Sequence, residues 1–313
     1  MQKLLHYFFR IVESYLFISI FAIGLGIGFP QIFSFFGSHT TPLLQIIFFL
    51  SSLKLEASQL IREGKEWKTL LFVNAVILVA LPVVVYAIAT VLVPNLALAL
   101  VFLAAMPAGM TLPLMVDVIA GDRSFALIMT VSSSLLAPIT IPVVLSQLTS
   151  TNVQLPLLDM TWRLFLVIVI PFFFAQCIRK LFLKKVQKIF PIFKPVSLGL
   201  LGLLITASVA TNAEAIRGAT TTIASTLIVL FIFFITTHLF SHLLFYKKPY
   251  REQATIAASI TFMNFTLAIY LANLYVPEPR VLLTLVLSII PWAVLLIPFK
   301  FVTDQMKKGG WVS

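Results

Sequence analysis

The chain has a single cysteine, Cys177, among 313 residues, so it can build neither an internal disulfide nor a cysteine metal cluster. Charge is also scarce. Asp, Glu, Lys and Arg make up 11% of the residues, where a soluble domain carries about 25%. Acidic residues are the scarcer sign, 11 against 22 basic ones. The chain has no phosphate-binding glycine loop, no metalloprotease helix motif and no Ser-His-Asp spacing, so an intramembrane enzyme has no motif to support it.

Apolar residues are abundant: 60% of the chain is hydrophobic and the mean hydropathy is +1.06. The apolar runs are long and bounded by basic loops, and each reads as a crossing of a hydrocarbon core about 30 Å thick by about 20 residues. Ten such spans are expected, over 12–36, 41–56, 68–93, 96–120, 123–148, 160–183, 191–213, 219–246, 252–275 and 279–301. Met1 to Arg10 runs directly into the first span without a small-residue cleavage site, so no cleavable signal peptide is expected.

Cytoplasmic loops collect Lys and Arg. With both termini cytoplasmic, only Arg163, Arg217 and Arg280 fall outside, leaving 19 of the 22 basic residues inside. The net charge of +11 is then accounted for by loops facing anionic headgroups, and no nucleic-acid partner is expected. The expected fold is an all-α integral membrane protein of ten transmembrane helices. Ten spans divide into two inverted five-helix repeats, residues 1–148 and 160–301, an architecture used by many secondary transporters.

One segment points to transport rather than anchoring. Met106-Pro107-Ala108-Gly109-Met110-Thr111-Leu112-Pro113 interrupts the span 96–120 at mid-membrane depth. A helix broken there frees backbone groups, which is tolerated only where the break is buried in protein or lines a cavity. In the span 252–275, Ser259-Ile260-Thr261-Phe262-Met263-Asn264-Phe265-Thr266 is the corresponding polar interruption, with neither Gly nor Pro. The fourth and ninth helices are therefore expected to be discontinuous and to cross near the midplane.

These features come with short motifs: Leu53-Lys54-Leu55 followed by Gln59-Leu60-Ile61-Arg62, Pro107-Ala108-Gly109-Met110-Thr111, Gly121-Asp122, Ser133-Ser134-Leu135-Leu136-Ala137-Pro138, and Asn264 with Leu267-Ala268. On these residues the chain resembles the bile acid:sodium symporter superfamily, as a bacterial homologue. The resemblance implies an inner-membrane carrier with a panel domain of helices 1, 2, 6 and 7 and a core domain of helices 3–5 and 8–10. Substrate would bind between the domains, beside the crossing of helices 4 and 9.

The sodium sites implied by that resemblance are degenerate here. Sodium-coupled members read Pro-Gly-Gly-Thr-Ala-Ser-Asn at the first break, and the last two positions are Leu112 and Pro113 in this chain. A Glu and a Gln of the ninth helix align with Ser259 and Met263, a Gln of the third with Ile77, and a Ser of the fifth with Ala126. Thr130 and Asn264 are kept. Sodium needs several hard oxygen donors, so no cofactor is expected and sodium remains a coupling ion only through Thr130, Ser133 and backbone carbonyls. If a proton couples instead, Asp117, one turn beyond Pro113, and His238, paired at i, i+4 with His242, are the candidate carriers, each also readable as a structural residue. Glu13 and Glu214 lie nearer span ends, where snorkelling or capping accounts for them.

Asn264, Thr111, Thr261, Met263 and Pro113 are the expected substrate-binding residues, with Phe262 and Phe265 adding apolar surface. Half-helix N-termini add partial positive charge. A small amphipathic organic anion is the expected substrate and the lipid bilayer the expected partner. A sodium-independent uniporter or proton-coupled carrier of the auxin-efflux or arsenical-permease type is the alternative, and a membrane sensor or scaffold that has lost transport the more distant one.

Overall fold

The computed structural model describes residues 17–55, 67–149, 155–218 and 222–308. The N-terminal segment Met1–Arg10, Glu13 and the Gln59–Arg62 motif lie outside the described residues. In chain order the helices are α1 (Phe17–Gly28), α2 (Pro30–Ser52), α3 (Trp67–Leu92), α4 (Pro94–Ala104), α5 (Leu112–Val118), α6 (Arg123–Thr149), α7 (Leu157–Ala210), α8 (Ala213–Gly218), α9 (Ile223–Leu244), α10 (Tyr250–Thr261), α11 (Phe265–Tyr275), α12 (Pro279–Val294) and α13 (Leu296–Lys308). No sheet forms among the described residues, where the one β-type contact is an isolated bridge between Ala108 and Met263.

The architecture corrects the expectation of ten transmembrane helices in two inverted five-helix repeats. Among the described residues five helices are long and apolar enough to cross a membrane: α2, α3, α6, α7 and α9. A sixth is reached if α12 and the start of α13 count as one span across their 43° bend. The physical reason is that apolarity runs on where helical structure does not. The run 96–120 is divided into pieces of 11 and 7 residues. The run 252–275 is divided into pieces of 12 and 11. None of these reaches the roughly 20 residues a crossing needs. The runs 160–183 and 191–213 both fall in the 54-residue α7, whose backbone breaks from helical geometry at Phe182 (φ −131°, ψ 30°).

Burial is distributed as a membrane protein requires. Along α10 every residue from Gln253 to Thr261 is buried, as is every residue of α11 from Leu267 to Ala272. The long helices instead leave large apolar side chains outward, among them Leu71, Val91, Leu158, Phe173 and Leu243. In water such a surface would be an association hazard, whereas in hydrocarbon it is the solvated face. The chain is an integral membrane protein whose short, broken helices lie inside a shell of apolar ones.

The breaks are held by each other. Between α4 and α5 the backbone leaves the helix at Ala105 to Thr111, and between α10 and α11 at Phe262 to Asn264. The Gly109 amide donates to the Phe262 carbonyl at 2.8 Å, and the Asn264 amide donates to the Pro107 carbonyl at 2.9 Å. These bonds answer the rule that backbone polar groups away from water must be paired. Pro107 fits because it has no amide to satisfy. Gly109 fits because a Cβ there would lie 2.8 Å from the Phe262 oxygen.

Gly109→Ala should therefore force the breaks apart and destabilise the protein by about 1–3 kcal/mol, the usual range for overpacking. Thermal unfolding in detergent, read beside an alanine substitution at Gly28, whose Cβ position is open, checks this. Equal melting temperatures for the two variants would contradict the close approach.

Candidate functional site

A cavity of about 70 Å³ lies where the two breaks face α2 and α7. Gly109, Met110 and Thr111 contribute from the first break, and Met263, Asn264, Phe265 and Thr266 from the second. Leu44, Phe48 and Ser51 close it from α2, Ser197 and Leu201 from α7, and Trp292 from α12. Among the described residues no charged side chain lines it. Its polarity comes from hydroxyls, one amide and the start of α11.

Asn264 has two tasks. Its Oδ1 accepts the Leu267 amide at 3.2 Å and caps α11. Its Nδ2 has no protein partner among the described residues and belongs to a side chain on the cavity wall. Capping fixes where that amide sits, so the group that ends the break also presents donors to the cavity.

Three of the expected substrate residues, Asn264, Thr111 and Met263, line this cavity, and two do not. Pro113 is buried in the first turn of α5. Thr261 is buried, donates to the Ala257 carbonyl at 2.7 Å and meets His238 Nδ1 at 3.1 Å. The candidates for ion coupling fall in separate places. Ser133 accepts the Ala108 amide at 3.2 Å and donates to the Met129 carbonyl at 2.6 Å, which makes it a brace behind the first break. Thr130 donates to the Ala126 carbonyl at 2.9 Å, with the Gly109 carbonyl at 3.5 Å. Asp117 is away from the cavity and pairs with Arg123 at 3.0 Å; both side chains are partly open, at 30% and 61% of their surface. Such exposed pairs contribute little to stability.

The positions that the resemblance would align with sodium ligands can be placed. Ile77 and Ala126 are buried apolar side chains, and Ser259 donates its hydroxyl to the Thr255 carbonyl at 2.7 Å. The carbonyls of Pro107, Gly109, Phe262 and Met263 each accept a backbone amide already.

The sequence matches the SBF-like CPA transporter family over residues 13–297. The chain belongs to that family. The match covers both breaks and the cavity, and it agrees with the resemblance to bile acid symporters at the level of the superfamily. No curated protein shows significant similarity to the chain. By family this chain is a transporter. Among the described residues no group of three or more His, Cys, Asp or Glu side chains could hold a metal ion.

Ser51 and Ser197 were not legible as cavity residues. Each is a lone hydroxyl in an apolar helix, a pattern that fits helix packing equally well, and only the approach of α2 and α7 to the breaks gives them a common wall.

Asn264→Ala removes the cap and should lower stability by about 1 kcal/mol. Asn264→Asp retains a capping oxygen and should recover most of that loss. Melting temperatures of the two variants in one detergent check the assignment; equal losses would show that the cap does not hold α11.

Proposed function

We propose that this SBF-like transporter carries a small organic anion by alternating access, binding it at the cavity between the paired breaks and the α2–α7 pair. The observation that carries the reading is a cavity walled on one side by helix breaks and on the other by intact helices, with uncharged donors and no carboxylate on its wall. The N-terminus of α11 opens onto the cavity through Phe265 and Thr266. The partial positive charge of a helix start favours an anion. Phe265, Leu44 and Phe48 favour an apolar portion beside it.

Size supports movement. Small-molecule sites occupy about 300–1,000 Å³, so a cavity of about 70 Å³ describes a nearly closed state. Entry of an organic anion requires one wall to withdraw. The α2 and α7 helices are tied to each other: Gln45 Nε2 donates to the Leu166 carbonyl at 3.1 Å, Gln176 Nε2 to Ser52 at 3.0 Å, and Arg179 to Leu53 at 2.9 Å. They form one unit able to move against the broken helices, with the hydroxyls of Thr41 and Tyr270, 3.1 Å apart, linking the two sides.

A panel of organic anions tested for thermal stabilisation of the purified protein, in sodium or in potassium, examines this. A ligand at a hundred times its Kd should add about 2.7 kcal/mol of stability. Equal stabilisation in both salts is expected, because the sodium ligands are replaced. Stabilisation confined to sodium would contradict that part, and stabilisation by organic cations in place of anions would contradict the charge assignment. Asn264→Asp, which sets a carboxylate on the wall, should abolish uptake of the stabilising anion into vesicles.

A further inference from the structure

Outside the cavity, one buried cluster has polar chemistry that the fold does not use. His238 and His242 stand one turn apart on α9, with 0% and 2% of their surfaces open and ring centroids 4.8 Å apart. Gln253 of α10, fully buried, donates its Nε2 to the His242 carbonyl at 2.8 Å. His238 Nε2, both ring nitrogens of His242 and Gln253 Oε1 have no hydrogen-bond partner among the described residues.

The hydrogen bonds favour one tautomer. With the Thr261 hydroxyl proton on the Ala257 carbonyl, 2.7 Å away, its oxygen accepts from His238 Nδ1 at 3.1 Å, and Nδ1 carries the proton. His238 Nε2 is then a bare lone pair. Neutral His242 has one N–H and one lone pair, and Gln253 Oε1 is a further acceptor. The neutral cluster has three bare acceptors and one free donor. Leaving buried acceptors unmet is costly. One added proton would give the cluster a second donor, on His238 Nε2, with the lone pair of His242 one helical turn away and Gln253 Oε1 as the acceptors available to the pair.

We propose that His238, His242 and Gln253 form a buried binding site for a single proton shared between the two imidazoles. The surroundings suit the cation. Phe299 lies parallel to His238 with centroids 3.7 Å apart and an interplanar angle of 2°, presenting its negative face to the ring. Several polar and charged groups on the packed helices have partners of their own. On α10, Tyr250 donates to Ile119, Arg251 donates to Gly121 and Glu252 pairs with Lys248 at 2.7 Å. Arg280 stands at the start of α12, and Lys300 follows Phe299 on α13. Neither imidazole has an ion pair with any of them among the described residues.

The site communicates with the break through Thr261, the last residue of α10, and through Phe299, whose ring lies 6.2 Å from that of Phe262. Its purpose, loading the proton that couples to solute movement, rests on the transport reading; its existence does not.

The test is the imidazole ¹⁵N NMR spectrum of the full chain in nanodiscs from pH 8 to pH 4, with His6→Gln and His39→Gln so that only the pair reports. Both rings should change together in one step that takes up one proton in total. Gln253→Leu should weaken proton binding at least tenfold, and Gln253→Glu should strengthen it at least tenfold. Two independent one-proton titrations, or rings that remain neutral throughout, would overturn the proposal. The wild-type pair decides the matter even if a Gln253 variant fails to fold. The spectrum needs no solute, so a failure here leaves the anion reading standing, and absence of anion stabilisation leaves this site standing.

Discussion

Two backbone hydrogen bonds, Gly109 to Phe262 and Asn264 to Pro107, are the constraint from which the interior of this protein follows. A chain that leaves the helix inside a membrane exposes amides and carbonyls with no water to receive them. Here each break supplies the other's missing partners. That solution demands close approach, which demands glycine at 109, and it demands burial, which puts α10 and α11 at the centre and the longer apolar helices around them. The cavity is a by-product of the same geometry, because backbone turned out of a helix leaves side chains unable to pack against α2 and α7.

The chemistry of the cavity is that of oriented neutral groups. A carbonyl-rich, carboxylate-lined site would select a cation; this one offers the Asn264 amide, hydroxyls and a helix start. The polar group with spare capacity for a proton is elsewhere, in the His238–His242 pair, joined to the second break through Thr261. On the two readings proposed, solute recognition and proton binding would rest on different residues, on either side of the second break. Thr261, expected on the substrate wall, is instead the link between them.

The sequence makes the first break legible, because Pro107, Gly109 and Pro113 are residues a helix interior rejects. The second break has neither Gly nor Pro, and is created by Asn264 capping α11 and by partners more than 150 residues away, which no local pattern announces. The count of ten spans and the inverted repeats built on it failed for a related reason. Hydropathy reports which residues prefer hydrocarbon, and a Pro-Gly turn between apolar neighbours scores as apolar while dividing the helix. Asp117, a coupling candidate by sequence, has Arg123, six residues on, beside it, a partner that sequence position alone does not announce. Membership at the level of the superfamily was legible in short motifs, two of which, Pro107–Thr111 and Asn264, carry residues that pair the breaks.

The most direct test of the central claim is a cross-link between the breaks. Ala108 and Met263 form the bridged pair flanked by the two hydrogen bonds, a position where Cα atoms stand about 4.5 Å apart, within disulfide range. In a Cys177→Ser background, Ala108→Cys with Met263→Cys should form a disulfide under mild oxidation, visible as a mobility shift that reductant reverses. Single variants should show no shift. Two cysteines that stay reduced and are separately alkylated would contradict the pairing of the breaks, and with it the account of the cavity.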